Sequence, residues 1–237
     1  MFKIVKVTIS LLFIILAIAF LYSRSWENAL FISLIYKINT KEKVIALTFD
    51  DGPSSARTPA LLAILEKHNV KATFFMLGEN ISKYPEIAKQ VFKAGHLIGN
   101  HSYDHPRMYF KSPQFLEKQI LQTDSLIKSL GQIEVKYFRP PYSAKFFVLP
   151  LILISMNKNL VTGSYDPPSE YASPYHAQTV ANEVINNVKP GSIIYLHDGK
   201  ESDAKAFAKS VESIIIKLKE KGYFFVKLDD KVEPLYE

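Results

Sequence analysis

The chain has 237 residues, a mass of 27.0 kDa and a net charge of +6. At 48% hydrophobic, 13% aromatic and 22% charged, it holds enough apolar matter for a full core, which excludes wholesale disorder. Cysteine is absent, which removes disulfide scaffolds, thiolate metal sites and cysteine nucleophiles. Lys3, Lys6, Arg24 and Lys37 against Glu27 put a surplus of three positive charges in the first 40 residues. The remainder is spread without a basic block, so no nucleic-acid partner is expected.

Residues 7–22 form an uncharged run preceded by Lys3 and Lys6 and followed by Arg24. A spanning helix needs roughly 20 apolar residues and a signal-peptide core about 7–15, so the run falls between the two. Ala17-Ile18-Ala19 offers a small-residue cleavage site, but the apolar run continues through Phe20, Leu21 and Tyr22. Residues 1–25 therefore read as a signal anchor in preference to a cleaved signal peptide. Tyr22 and Trp26, the single tryptophan, would lie at interface depth, and the two lysines place the N-terminus in the cytoplasm. Residues 26–42 read as a juxtamembrane linker, with the apolar patch 29–36 expected to be helical.

From residue 43 to 237 the pattern is one domain of alternating strands and helices. Strands are expected at 44–49, 72–77, 96–99, 136–139, 160–165, 192–197 and 223–228. Helices are expected at 59–68, 81–94, 114–130, 145–157 (interrupted at Pro150), 177–188 and 204–221. Seven short strands interleaved with helices predict an α/β fold with a parallel sheet, and a closed barrel is one solution of that kind.

Asp50, Asp51, His101, His105, Arg139, Asp166 and His197 all stand at or just past the ends of five different predicted strands. In a β/α barrel that end is where loops converge on an active site. His101 and His105 are four apart, so on a helical turn they face the same way; alone, such a pair is more often a solvated helix face. A carboxylate from another strand, Asp51, completes a two-histidine, one-aspartate set with coordination positions left open. Zinc is the default ion for these ligands, with iron, cobalt and nickel accepting the same set. Asp50, the neighbouring carboxylate, is then free to act as a base. An Asp-Asp-Gly-Pro turn that merely caps a helix is the plainer reading of the pair.

These residues carry a family resemblance. Thr48-Phe49-Asp50-Asp51-Gly52-Pro53 resembles the first motif of the polysaccharide deacetylases (the NodB-homology domain, carbohydrate esterase family four). Asn100-His101-Ser102-Tyr103-Asp104-His105 resembles the second, Arg139-Pro140-Pro141-Tyr142 the third and Ile194-Tyr195-Leu196-His197-Asp198 the fifth. The resemblance implies a distorted barrel of about seven β/α units, with its active site at the C-terminal strand ends, that removes acetyl groups from N-acetylated sugars. By position it implies one divalent metal, usually zinc, on Asp51, His101 and His105. It implies Asp50 as general base, His197 as general acid and Arg139 as the group that orients Asp50. The Tyr142 backbone N–H would help hold the oxyanion, Leu196 would line the acetyl-methyl pocket, and Pro141 would lie against substrate.

Two places depart from the pattern. Ser143 follows Tyr142 where glycine is usual. The fourth motif, usually Asp-x-x-Asp-Trp, here reads Asp166-Pro167-Pro168-Ser169-Glu170-Tyr171. Asp166 and Glu170 are thus both candidates for the carboxylate partner of His197, and Tyr165, Tyr171 and Tyr175 either stack on sugars or pack the loop. The leading functional reading is a single-pass bacterial membrane enzyme whose outward-facing domain deacetylates N-acetylglucosamine in peptidoglycan. Chitin oligomers or O-acetylated glycans are the alternative substrates. A non-haem iron oxygenase and a non-catalytic wall-binding module are the alternative classes.

Overall fold

In the computed structural model, which describes residues 2–132 and 134–230, eight short strands pair in parallel register. They are β1 (Leu34–Ile35), β2 (Val44–Asp50), β3 (Thr73–Met76), β4 (Leu97–Asn100), β5 (Tyr137–Phe138), β6 (Asn159–Val161), β7 (Ile193–His197) and β8 (Phe224–Phe225). The spatial order is β1-β6-β5-β4-β3-β2-β7, with β8 on the first residues of β2. Past β6, Tyr165 pairs in parallel with Ile194, and the Tyr195 N–H donates to the Tyr165 carbonyl at 2.9 Å. That one-residue bridge curls the sheet into a distorted barrel.

Side-chain alternation along β2 and β7 builds the two layers. Ile45, Leu47, Phe49, Ile194 and Leu196 join the outer core beneath α2 (Arg57–Lys67), α7 (Ala177–Asn187) and α8 (Ala204–Glu220). Val44, Ala46 and Ile193 point the other way and meet Phe75, Tyr137 and Val161 inside the barrel. A third cluster, including Phe138, Leu160 and Leu34, lies under α5 (Pro113–Ser129) and α6 (Val148–Ser155). Asp50 and His197 follow the inward parity, so the alternation that fills the core also aims them into the barrel mouth.

Prolines set several boundaries. The helix expected over 81–94 is two, α3 (Gly78–Lys83) and α4 (Pro85–Lys93), because Pro85 cannot continue α3 but suits the first position of a new helix. Pro150 causes no interruption, since α6 begins only at Val148 and first-turn N–H groups need no helical partner. Ser112 caps α5 by accepting from the Phe115 N–H at 3.3 Å. The helix expected at 29–36 is absent. Leu34 and Ile35 instead pair with Leu160 and Val161, which buries both side chains and extends the exposed edge of β6. The last strand is shorter than expected, with Leu228–Asp230 a 3-10 turn. The expected domain end, 231–237, lies outside the described residues.

At the N-terminus α1 (Phe2–Arg24) includes Ile4–Arg24, 21 residues of mean hydropathy 2.8 whose side chains are largely exposed. At 1.5 Å per residue it is roughly 30 Å long, about the thickness of a bilayer's hydrocarbon core. Length and composition allow it to cross a membrane.

Leu61 on α2 is fully buried in the outer core. Leu61→Ala should lower the unfolding free energy by about 2–5 kcal/mol in urea, with the slope unchanged. An effect under about 1 kcal/mol would contradict the packing described.

Candidate metal centre and active site

β2 ends in the turn that carries both aspartates. Asp50, the last strand residue, is buried and faces the barrel mouth, whereas Asp51 takes a left-handed backbone (φ 69°) that swings its carboxylate toward β4. The Asn80 amide holds this turn by donating to the Asp51 carbonyl at 2.7 Å. Close approach to the loop after β7 requires two glycines. A Cβ on Gly52 would lie 2.4 Å from Asp198, and one on Gly199 would lie 2.5 Å from the Asp51 carbonyl oxygen.

His101 and His105 follow β4, in an irregular loop where Ser102 and His105 have positive φ, not on the helical turn expected. Asn100 enforces that shape, its Oδ1 accepting from the Ser102 N–H at 2.8 Å while its amide donates to Asp124 and to the Ile120 carbonyl. The chain reversal does what helical spacing was expected to do. It brings the two rings within 5.1 Å of each other.

Asp51 Oδ1 lies 3.4 Å from His101 Nε2 and 3.2 Å from His105 Nε2, and it is buried without a hydrogen-bond donor. Ligands about 2.0–2.2 Å from an ion at tetrahedral angles stand roughly 3.3 Å apart, so these three donors fit one divalent transition metal. His101 Nδ1 donates to the Arg139 carbonyl at 2.6 Å, which leaves the Nε2 lone pair facing Asp51. Burial alone would raise the Asp51 carboxyl, but the imidazoles of His101, His197 and His105 outweigh it and hold the group well below the usual carboxylate range.

Arg139, just after β5, is buried and organises the opposite wall. Its Nη1 donates to Asp50 Oδ1 at 2.6 Å and to Thr48 Oγ1 at 2.7 Å, and its Nη2 to the Thr162 carbonyl at 2.8 Å. The guanidinium lies between the rings of Phe75 and Tyr195, 4.0 and 4.2 Å from their centres. Asp50 is thus held by one oxygen, with Oδ2 left toward the metal ligands, 3.9 Å from His101 Nε2.

His197 closes the site from β7. Its Nδ1 stands 2.9 Å from Glu170 Oε2, and its backbone N–H donates to Glu170 Oε1 at 2.7 Å. Glu170 lies in the 3-10 turn Pro168–Tyr171 and is buried. Of the two candidate partners the fourth motif offered, Glu170 is the one in contact. Asp166 lines the same cavity but accepts from the Tyr171 hydroxyl at 2.8 Å instead. Burial, helped by Glu170 and Asp50, raises the Asp166 carboxyl to about 6 against the pull of Tyr171 and His197.

Asp50, Asp51, His101, His105, Asp166 and His197 line one cavity of about 460 Å3, with Arg139 and Glu170 buried behind Asp50 and His197. The sequence profile described as Polysaccharide deacetylase matches residues 37–148, which carry the first three motifs. A chitooligosaccharide deacetylase of Azorhizobium caulinodans is 36% identical over 72% of this chain and 80% of its own length. The chain belongs to the polysaccharide deacetylase family. A peptidoglycan-N-acetylglucosamine deacetylase of Bacillus cereus is 36% identical over 78% of this chain, which spans 66% of that relative's length. A solved peptidoglycan N-acetylglucosamine deacetylase superposes with a TM-score of 0.77 at 35% identity, covering 84% of this chain and 92% of that one. The polysaccharide deacetylase fold alone does not fix an activity, so the side chains must carry it.

Within this cavity some expected wall residues are replaced by neighbours. Leu196 is fully buried in the outer core, because strand alternation turns it away from the mouth while Tyr195 and His197 face inward. Pro141 is buried too, and Pro140 lines the cavity in its place. Tyr142 lines it, in a left-handed turn (φ 56°) with its ring against His105 and the Arg107 guanidinium. Sequence reasoning missed Thr48, Thr162, Arg107, Lys200 and, above all, Trp26 as parts of this site. Thr162 and Lys200 lie outside the recognised motifs, and the apolar run before Trp26 pointed to a lipid interface instead.

Burial alone would push the His197 imidazole down, but the Glu170 carboxylate, with Asp50 and Asp51 beyond it, raises it to about 10. The folded form binds this proton more tightly than the unfolded chain. Its contribution to stability is therefore complete below about pH 6.5 and lost as pH climbs through 10. Glu170→Gln should bring the His197 titration in the metal-free protein, followed by imidazole NMR, down toward or below 6.5 and should remove that alkaline slope. An unmoved titration would assign the shift to some other group.

Proposed function

We propose that the protein is a membrane-anchored, metal-dependent hydrolase that removes N-acetyl groups from N-acetylglucosamine residues of peptidoglycan. One observation carries the reading. A single cavity holds a three-donor metal group with an arginine-held carboxylate on one side and a carboxylate-held imidazole on the other. The names of the Bacillus cereus relative and the solved neighbour favour peptidoglycan as the glycan.

Asp51, His101 and His105 would hold the ion, zinc by preference with cobalt or nickel accepted. Bound there, the ion polarises a carbonyl and makes water a competent nucleophile near neutral pH. Asp50, fixed by Arg139, takes the proton of the attacking water. His197, kept protonated by Glu170, gives its proton to the departing amine nitrogen. The water oxygen adds to the carbonyl carbon first, the C–N bond then breaks as its nitrogen takes the His197 proton, and the products are acetate and a free amino sugar. The Tyr142 backbone N–H would face the oxygen that gains negative charge. The turn at Pro140-Pro141 sets that position.

Lys3 and Lys6 ahead of Ile4–Arg24 favour an orientation with the N-terminus inside and the catalytic domain outside. The cavity would then lie beside the outer membrane surface, where a wall glycan is reached first.

Acetate release from purified peptidoglycan should require the divalent ion and stop with chelator. Asp50→Asn should keep one ion per chain yet lose about 10²–10⁴ of the rate, whereas Asp51→Asn should lose ion and rate together. The reverse pattern would exchange the two carboxylates. Full activity in both variants would overturn the proposed chemistry.

A further inference from the structure

Residues 25–26, which join α1 to the domain, are fastened to the catalytic cavity by two buried polar groups. Lys145 is buried, and its ammonium donates to the Ser25 carbonyl at 2.8 Å. Thr162, also buried, donates its hydroxyl to the Trp26 carbonyl at 2.5 Å, while its own carbonyl accepts from Arg139. Burying an ammonium is costly unless an acceptor meets it, so the Lys145 contact ties this connecting segment to the domain. The last turns of α1 join the same attachment, since Phe20 packs against Tyr109, Phe110 and Phe146.

The consequence falls on Trp26. Its ring stands 5.7 Å from that of Tyr195, which in turn covers the Arg139 guanidinium. It lines the cavity together with Asp50, Asp51 and His197 and is 39% exposed there. Much of the catalytic lining is charged or hydrogen-bonding, whereas a pyranose ring also presents a face of C–H groups. A rigid indole offers that face a large apolar contact at little conformational cost. An indole serving only as an interfacial anchor would need neither the backbone clamp nor a place in the catalytic wall.

The geometry points to Trp26 as a sugar-stacking wall of the catalytic cleft, so that the segment following the N-terminal helix is a working part of glycan binding. This rests on the deacetylase reading and adds to it a specificity-determining residue outside the matched motifs. Removal of acetyl groups still falls to Asp50, His197 and the metal ligands. Trp26 positions the ring that bears the acetamide.

Because Trp26 is the single tryptophan of the chain, its fluorescence reports this one site. The full-length Asp50→Asn protein, loaded with Zn2+ in detergent micelles, would be titrated with a tetrasaccharide of alternating N-acetylglucosamine and N-acetylmuramic acid. Emission should change saturably, with a midpoint matching the Kd from calorimetry within about a factor of two. In the otherwise wild-type chain, Trp26→Ala should raise KM about tenfold with kcat within threefold, and Trp26→Tyr should recover most of the loss. Calorimetric binding without a change in emission, or an unaltered KM in Trp26→Ala, would overturn the inference while leaving the deacetylase reading intact. If the tetrasaccharide does not bind and the wild-type chain releases no acetate from peptidoglycan, both readings fall together.

Discussion

The buried ion pair between Arg139 and Asp50 is the constraint on which the rest of the site depends. Two unit charges inside a protein are tolerated only when their remaining donors and acceptors are matched. Arg139 meets that condition at both terminal nitrogens by reaching β2 at Asp50 and Thr48, and Thr162 just past β6, between the rings of Phe75 and Tyr195, while its Nε stays buried without a hydrogen-bond partner among the described residues. Its carbonyl extends the same control to the metal group by fixing the His101 tautomer. One residue thus orients the proposed base, turns the His101 Nε2 toward Asp51 and, through Thr162, touches the segment that carries Trp26. Removing either charge would strand the other, at about 3–5 kcal/mol for a buried pair, so stability and chemistry are tied here.

Two neighbouring carboxylates acquire different tasks because the backbone changes hand between them. Asp50 ends a strand and keeps its inward parity, while Asp51, at positive φ, leaves the sheet and meets the imidazoles of the next loop but one. The turn is held by Asn80 and packs against the loop after β7 through Gly52 and Gly199. Across the cavity Glu170 holds the His197 imidazole in its cationic form until pH nears 10. In the proposed chemistry the base is positioned by a cation and the acid is held protonated by an anion.

Much of the architecture was legible because its signals are local. The alternation and apolar runs that predict β2, β3 and β7 are the same features that bury those strands in the structure. The chemistry-bearing residues were legible because Asp50, Asp51, His101, His105 and His197 stand at strand ends, where a β/α barrel converges. What escaped depends on tertiary partners. Leu34 and Ile35 read as a helix by composition, but an open edge of β6 made them a strand. The four-residue spacing of the histidines would let them share the face of a helical turn, and Asn100 folds them into a loop instead. Glu170 and not Asp166 meets His197, because the 3-10 turn Pro168–Tyr171 carries it there, a placement that spacing alone does not reveal. Trp26 read as a lipid-facing residue, because nothing local reveals that Lys145 and Thr162, more than a hundred residues away, clamp its backbone to the cavity.

The most direct measurement of the central claim is mass analysis of wall fragments. Purified peptidoglycan would be incubated with the metal-loaded protein, digested to muropeptides and weighed residue by residue. N-acetylglucosamine residues should lose the mass of one acetyl group and gain a free amine, only when the divalent ion is present. Fragments unchanged by the metal-loaded protein, or deacetylated equally by the chelated one, would contradict it.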